Sequence, residues 1–181
     1  TGAAAGLVVN SNPAAVMLIL NTIACGKEVI VSRGQIMESE GLRLPDIIEK
    51  SGALMLPVGA TNKTRLRDYR DAISENTGAI MRVNTTDYRI SGFSQDVPLQ
   101  ELAGLAKKHK VPLVDNIGSG CLVDLTPYGL PEDPPAFLSV RNGAELVCFG
   151  GEKLLGGPLA GIIAGNCEHI LQMKDNPLYG I

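Results

Sequence analysis

The sequence contains no tryptophan, and aromatic residues make up only 4% of it. Sixteen basic against 19 acidic residues give a net charge of −3, which argues against a dedicated nucleic-acid-binding module, since that needs a basic face. Of the two histidines, His109 and His169, each falls on a helical stretch beside lysine or glutamate and reads as a surface residue. The four cysteines, Cys25, Cys121, Cys148 and Cys167, show no C-x-x-C spacing, so a structural zinc site is not indicated and no metal site is expected. Three of them lie in or beside apolar stretches, which suits reduced, buried thiols of a cytosolic protein. No run of 18 apolar residues occurs, so no membrane span is expected. Residues 14–25 come nearest to a signal-peptide core, but no positive region precedes them and Asn21 interrupts them. The G-x-G-x-x-G and Walker A patterns are missing, which disfavours a dinucleotide or nucleotide site.

What the sequence has is 45% apolar residues over 181 positions, enough to bury roughly 70% of the unfolded surface in one domain. Thr1 opens inside a pattern with no lead-in, and we expect a piece of something longer. Short apolar runs alternate with amphipathic stretches. The runs are residues 7–9, 28–31, 54–58, 79–83, 111–114, 146–149 and 161–164. Helical stretches are read at 13–24, 45–50, 66–73, 98–108, 137–141 and 168–174, with an irregular proline-rich segment at 127–135. In the fourth helix Leu99, Leu102, Ala103 and Ala106 form the buried stripe. Runs that are apolar throughout, rather than alternating, indicate strands covered on both faces. Alternation of strand and helix with short links indicates parallel crossovers. The expected fold class is α/β, a three-layer sandwich with a mostly parallel sheet of about seven strands.

In such a sheet ligands bind at the carboxyl ends of the strands, so the residues just after each run are the candidates. Asn10-Ser11-Asn12 follows the first run and leads into a helix, whose start can hold a phosphate or simply be capped by Ser11 or Asn12. Asp115 follows the run ending at Val114. A carboxylate there needs a cation or donor to offset its desolvation, unless it only shapes a turn. The Gly118-Ser119-Gly120 turn beyond it implies close backbone packing. Lys153 sits in a glycine-lined bend between two apolar runs. Its amine can act as nucleophile or base, or the side chain can merely reach out to water. A helix start, a carboxylate and a lysine on three strands of one sheet match the needs of pyridoxal 5'-phosphate: phosphate cradle, partner of the ring nitrogen, and Schiff-base amine.

At these residues the sequence resembles the bacterial selenocysteine synthase, or L-seryl-tRNA(Sec) selenium transferase, family of fold-type-I pyridoxal-phosphate enzymes. LVVNSNPAAV (7–16), KEVIVSRGQIME (27–38), RLPDIIEKSGA (43–53), VGATNKTRLRDY (58–69), NTTDYRISGF (84–93), VPLVDNIGSG (111–120) and FGGEKLLGGPLAGII (149–163) carry the likeness across nearly the whole chain. It implies that Lys153 and Asp115 are catalytic, as the Schiff-base lysine and the partner of the ring nitrogen. It places Asn10, Ser11, Asn12 and Ser119 at the cofactor, and Arg33 and Arg89 on the substrate side, where a guanidinium can grip phosphate oxygens or serve as a structural ion pair. It implies seryl-tRNA(Sec) as substrate, selenophosphate as selenium donor, a homo-oligomer built from dimers, and a cytoplasmic location. The chain departs from the family pattern at Gly150, where a serine is usual, and at Asn116, where a second aspartate is frequent. On this reading the family's N-terminal tRNA-binding region and C-terminal small domain lie outside residues 1–181. Two other functions stay open: a pyridoxal-phosphate lyase acting on a small amino acid or amino sugar acid, and a truncated large domain that turns nothing over.

Overall fold

The structure, a computed structural model, describes residues 1–39, 41–85, 87–129 and 133–180. Among these the main sheet takes its strands from β1 (Ala5–Val9), β2 (Glu28–Ser32), β5 (Leu54–Val58), β6 (Thr77–Val83), β7 (Leu113–Gly118), β8 (Leu146–Gly150) and β9 (Gly161–Gly165), while β3 (Glu38–Ser39) and β4 (Leu42–Arg43) form a small separate ribbon. The order across the main sheet is β1-β9-β8-β7-β6-β2-β5. All neighbours are parallel except at β9, which runs antiparallel to both β1 and β8. The α/β class and the mostly parallel sheet are as the apolar runs indicate.

Helices cover both faces. On one lie α1 (Asn12–Ala24), α2 (Leu44–Lys50) and α6 (Cys167–Asp175). Their Val16, Ile19, Leu20, Ile48, Ile170 and Met173 pack with Val29, Val31, Met81, Val114 and Cys148 of the strands. On the other face α3 (Leu66–Ala72) and α4 (Leu99–His109) bring Tyr69, Leu102 and Ala106 onto Ile30, Ile80 and Leu113. There α5 (Ala136–Arg141) brings Ala136 onto Ile117, Val147 and Phe149. Alternate residues of each central strand thus enter opposite layers, as the two-residue period of a strand requires.

Three elements differ from the sequence reading. The run expected to end at Val114 begins at Leu113 and continues to Gly118, so Asp115 lies inside a strand rather than after it. His169 is half-buried, with Nε2 3.0 Å from Glu145 Oε2. Of the thiols, Cys121 and Cys148 are buried while Cys25 and Cys167 are exposed, and all four are free. Residues 130–132, within the proline-rich segment, lie outside the described residues.

Two buried acids of the core set an alkaline limit. Burial, then the negative charge of Asp96, pushes the Tyr69 hydroxyl far above the usual tyrosine range. Burial, then Asp115, does the same to the Cys148 thiol. Below the unfolded-state pKa values, about 8.5 for cysteine and about 10 for tyrosine, both groups are neutral in either state and their contribution is complete. Above those values only the unfolded chain ionises, so stability falls with rising pH. Urea unfolding at pH 8, 10 and 11 should show this fall, and Tyr69→Phe should flatten it above pH 10, by up to about 1.4 kcal/mol per pH unit. An unchanged slope in the variant contradicts the assignment.

Candidate active site

The carboxyl ends of β1, β6, β7 and β8 and the start of β9 meet at one edge of the sheet. Directly after β1, Ser11 caps α1: its backbone is extended and its Oγ accepts from Ala14 N–H at 3.3 Å. Its carbonyl accepts from Ala15 N–H at 2.9 Å, the first turn of the helix. β9 begins hard against this turn. A Cβ at Gly161 would stand 2.0 Å from the Ser11 oxygen, so the close approach requires glycine.

The bend that carries Lys153 is fixed by its backbone. Gly151 N–H donates to the Ala160 carbonyl at 2.9 Å, Gly157 N–H to Gly151 at 2.8 Å and Gly156 N–H to Lys153 at 3.0 Å. Leu154 N–H donates to the Ser119 carbonyl at 2.9 Å, which ties the bend to the turn beyond β7. Gly120, at φ +78°, lies so near that a Cβ there would stand 2.2 Å from the Gly150 oxygen. The lysine side chain itself is exposed.

Lys153 borders a cleft of about 70 Å³ whose polar wall includes Asn12, Ser39, Asn84, Asn116 and Gly118, and whose apolar wall includes Met37, Leu42, Leu44 and Ile47. Asn116 anchors the polar wall. Its Oδ1 accepts from the Gly118 N–H at 3.1 Å and from Asn12 Nδ2 at 3.0 Å. A backbone N–H only donates, so the oxygen of Asn116 must face Gly118, and the amide of Asn12 must turn its NH2 to Asn116. Asn12 Oδ1 is then buried without a partner among the described residues, as is Glu152 Oε2 beside the lysine bend. An unpaired buried acceptor costs about 1–3 kcal/mol, and a donor from a ligand would remove that cost at Asn12.

Asp115 is placed elsewhere. It faces the α5 side of β7, fully buried, with Oδ1 accepting from Arg82 Nη1 at 2.9 Å and Oδ2 from Ser139 Oγ at 2.6 Å. Its register partner on β6 is Arg82 itself. Asp115 is thus not among the residues that line the cleft bordered by Lys153. The strand runs on to Gly118, and its period of two sends Asn116, not Asp115, to the Lys153 side.

The remaining candidates divide. Asn12 lines the cleft. Asn10 is exposed and borders a different hollow with Leu178 and Tyr179. The Ser11 hydroxyl is taken up by the helix cap, and the buried Ser119 hydroxyl leans on the Ile117 carbonyl at 3.4 Å. Arg33 is exposed in a 3₁₀ turn after β2. Arg89, also exposed, lines a second, polar cleft with Gly34, Asn62, Asn84 and Asp96. Asn84 borders both clefts, and the strand-end rule applied to β6 would have found it. Among the described residues no cluster of His, Cys, Asp and Glu could hold a metal ion, and no helix is long and apolar enough to cross a membrane.

Comparison with known proteins adds the family. The model of the L-seryl-tRNA selenium transferase family matches residues 1–181. The chain belongs to that family. It is 51% identical over 179 residues to the L-seryl-tRNA(Sec) selenium transferase of Nitratidesulfovibrio vulgaris, and 52% identical to those of Alkaliphilus metalliredigens and Carboxydothermus hydrogenoformans. In each case 98% of this chain is covered but 38% of the relative, so the chain spans under two fifths of their length. Among solved structures, D-glucosaminate-6-phosphate ammonia-lyase superposes with a TM-score of 0.80 at 18% identity, over 96% of this chain and 47% of that one. An aspartate aminotransferase variant from Thermus thermophilus gives 0.69 at 20% identity, over 94% and 46%. These two likenesses show a shared fold.

The Asp115 placement carries a stability prediction. Removing one partner of a buried ion pair leaves the other uncompensated, at about 3–5 kcal/mol. With Arg82 23% exposed, Asp115→Ala should cost about 3 kcal/mol in urea unfolding. The Asp115→Ala/Arg82→Met pair should cost less than the sum of its single changes. Additive losses would contradict the coupling.

Proposed function

We propose that this chain is the cofactor-binding portion of a pyridoxal-phosphate-dependent L-seryl-tRNA(Sec) selenium transferase, converting seryl-tRNA(Sec) to selenocysteinyl-tRNA(Sec). The observation that carries the reading is Lys153, held by backbone hydrogen bonds at the mouth of the cleft that α1 opens into. Family membership over all 181 residues supports it. The residues present suit the cofactor in two ways. An amine stands at the cleft, and the start of α1 opens onto the same cleft. Lys153 would hold the aldehyde carbon, and the start of α1 would hold the phosphate through the positive end of its dipole. When bound, the cofactor supplies an electron sink for charge that develops at the substrate Cα.

The protein's own residues do the rest. Lys153 Nζ would serve as the base that takes the Cα proton of the seryl group. Met37, Leu42, Leu44 and Ile47 keep water from one side of the cleft. The net change replaces the seryl Cβ–OH by Cβ–SeH, with selenophosphate as donor and the displaced oxygen leaving with its phosphoryl group as inorganic phosphate. Arg89, which lines the polar cleft that shares Asn84 with the first, would meet an anionic donor through its guanidinium. Arg33, in the turn after β2, serves substrate approach. Contacts to the tRNA lie mostly outside residues 1–181, consistent with the net charge of −3. The working form is a homo-oligomer built from dimers in the cytoplasm.

Pyridoxal phosphate added to the protein, followed by borohydride reduction and peptide mass analysis, should place the adduct on Lys153. Lys153→Ala should lose both the adduct and selenocysteinyl-tRNA formation, by about 10² fold or more. An adduct that forms elsewhere, or turnover that survives the change, defeats the assignment.

A further inference from the structure

The polar cleft that adjoins the Lys153 cleft has a volume of about 400 Å³ and shares Asn84 with it, a size within the range of small-molecule sites. Ile90 is the only apolar side chain among its lining residues. Gln95 and Asp96 stand side by side on its wall, both exposed, and among the described residues neither side chain has a hydrogen-bond partner. The rim is a clamped strap. Asn62 Nδ2 donates to the Phe93 carbonyl at 2.8 Å, Gln95 N–H to the Asn62 carbonyl at 2.9 Å and Thr64 N–H to the Gln95 carbonyl at 2.9 Å. Thr64 is in turn buried against Ser32, their hydroxyl oxygens 2.7 Å apart. On this fixed backbone the Phe93 side chain is 91% exposed. A chain with only 4% aromatic residues thus spends one of its rings in water at the rim of a polar cleft, where its face is open to a partner.

The covalent structure of an aminoacyl-tRNA dictates what must lie next to its amino acid. The acyl group is esterified to the ribose of the terminal nucleotide, an adenosine, so a seryl Cα within reach of Lys153 Nζ brings that ribose and its base within a few bonds of the Lys153 cleft. The hollow beside Asn10 shares no lining residue with that cleft and is walled mostly by apolar side chains. The polar cleft shares Asn84. We infer that the polar cleft takes the terminal nucleoside of seryl-tRNA, with the base on the Phe93 ring and its edge toward Gln95 and Asp96. This rests on the function proposed above and goes beyond it, because it assigns a substrate subsite within this chain. Stacking on an aromatic face is tolerant of the base and supplies grip, while an amide and a carboxylate together complement the ring-nitrogen acceptors and amino donor of adenine. Arg33 and Lys63, next in sequence to the wall residues Gly34 and Asn62, supply positive charge for the phosphate of that nucleotide.

The probe is adenosine 5'-monophosphate, with inorganic phosphate as its control, and binding to the protein is read by ligand-detected NMR titration. We expect the nucleotide to bind about tenfold more tightly than phosphate, Phe93→Ala and Phe93→Leu to weaken the nucleotide by about tenfold while leaving phosphate unchanged, and Phe93→Tyr to keep the natural affinity. Because the side chain is 91% exposed, these changes leave the core untouched. Equal affinity for nucleotide and phosphate overturns the inference, since an anion site alone gives that result. So does a nucleotide affinity indifferent to Phe93, or a Phe93→Ala variant that sediments as a smaller assembly with nucleotide affinity intact, which makes the ring a contact between copies of the chain. The borohydride-trapped adduct on Lys153 is measured on the same samples. An adduct on Lys153 without nucleotide binding defeats the inference and leaves the cofactor reading standing, whereas the lack of an adduct defeats both.

Discussion

A β-strand has two faces, and the site is organised by how β7 distributes its residues between them. Leu113, Asp115 and Ile117 enter the layer of α4 and α5, while Val114, Asn116 and Gly118 enter that of α1. The charged residue is thereby taken into the sheet's far side, where Arg82 from the neighbouring strand and Ser139 from α5 neutralise it. The uncharged amide is delivered to the cleft. A one-residue change of register would exchange the two and reverse the electrostatics of the site.

Two kinds of order coexist there. The backbone around Lys153 is locked, with the bend closed on itself and tied to the turn beyond β7 by Leu154 and Ser119. The side chains of the polar wall are locked in direction too, through the unambiguous donor at Gly118, yet they leave one acceptor on Asn12 unused. A site whose frame is rigid while its polar wall is incompletely paired is arranged to receive something, because the missing bond is recovered only on binding.

Most of the architecture was legible in the residues. The continuous apolar character of residues 28–31, 79–83 and 146–149 identified strands buried on both faces, while the run at 54–58 proved to be a half-buried edge strand, and Leu99, Leu102 and Ala106 identified the stripe of α4. Lys153 and Asn12 were visible as strand-end residues. The end of β7 was read too early, before Asp115, because a polar pair, Asp-Asn, interrupts the apolar run and looks like its end. In the structure the strand absorbs the charge by pairing it with Arg82 across 33 positions of sequence, and no local pattern reveals such a partner. The parity of Asn116, and the amide orientations that follow from it, depend on that same continuation of the strand. The β3–β4 ribbon was missed because two-residue strands carry no periodicity.

The position of β9 between β1 and β8 has a consequence for how the chain comes together. Within the main sheet β1 is paired with β9 alone, through contacts such as Ala5 with Gly165. As the chain leaves the ribosome, β1 therefore waits for β9, and its backbone donors and acceptors stay unmatched until Gly165 has emerged. Pairing over such a separation is slow to close. While the roughly 160 residues from β1 to β9 are made, the edge beside the turn that begins α1 stays open, so the cleft cannot be completed before β9 arrives.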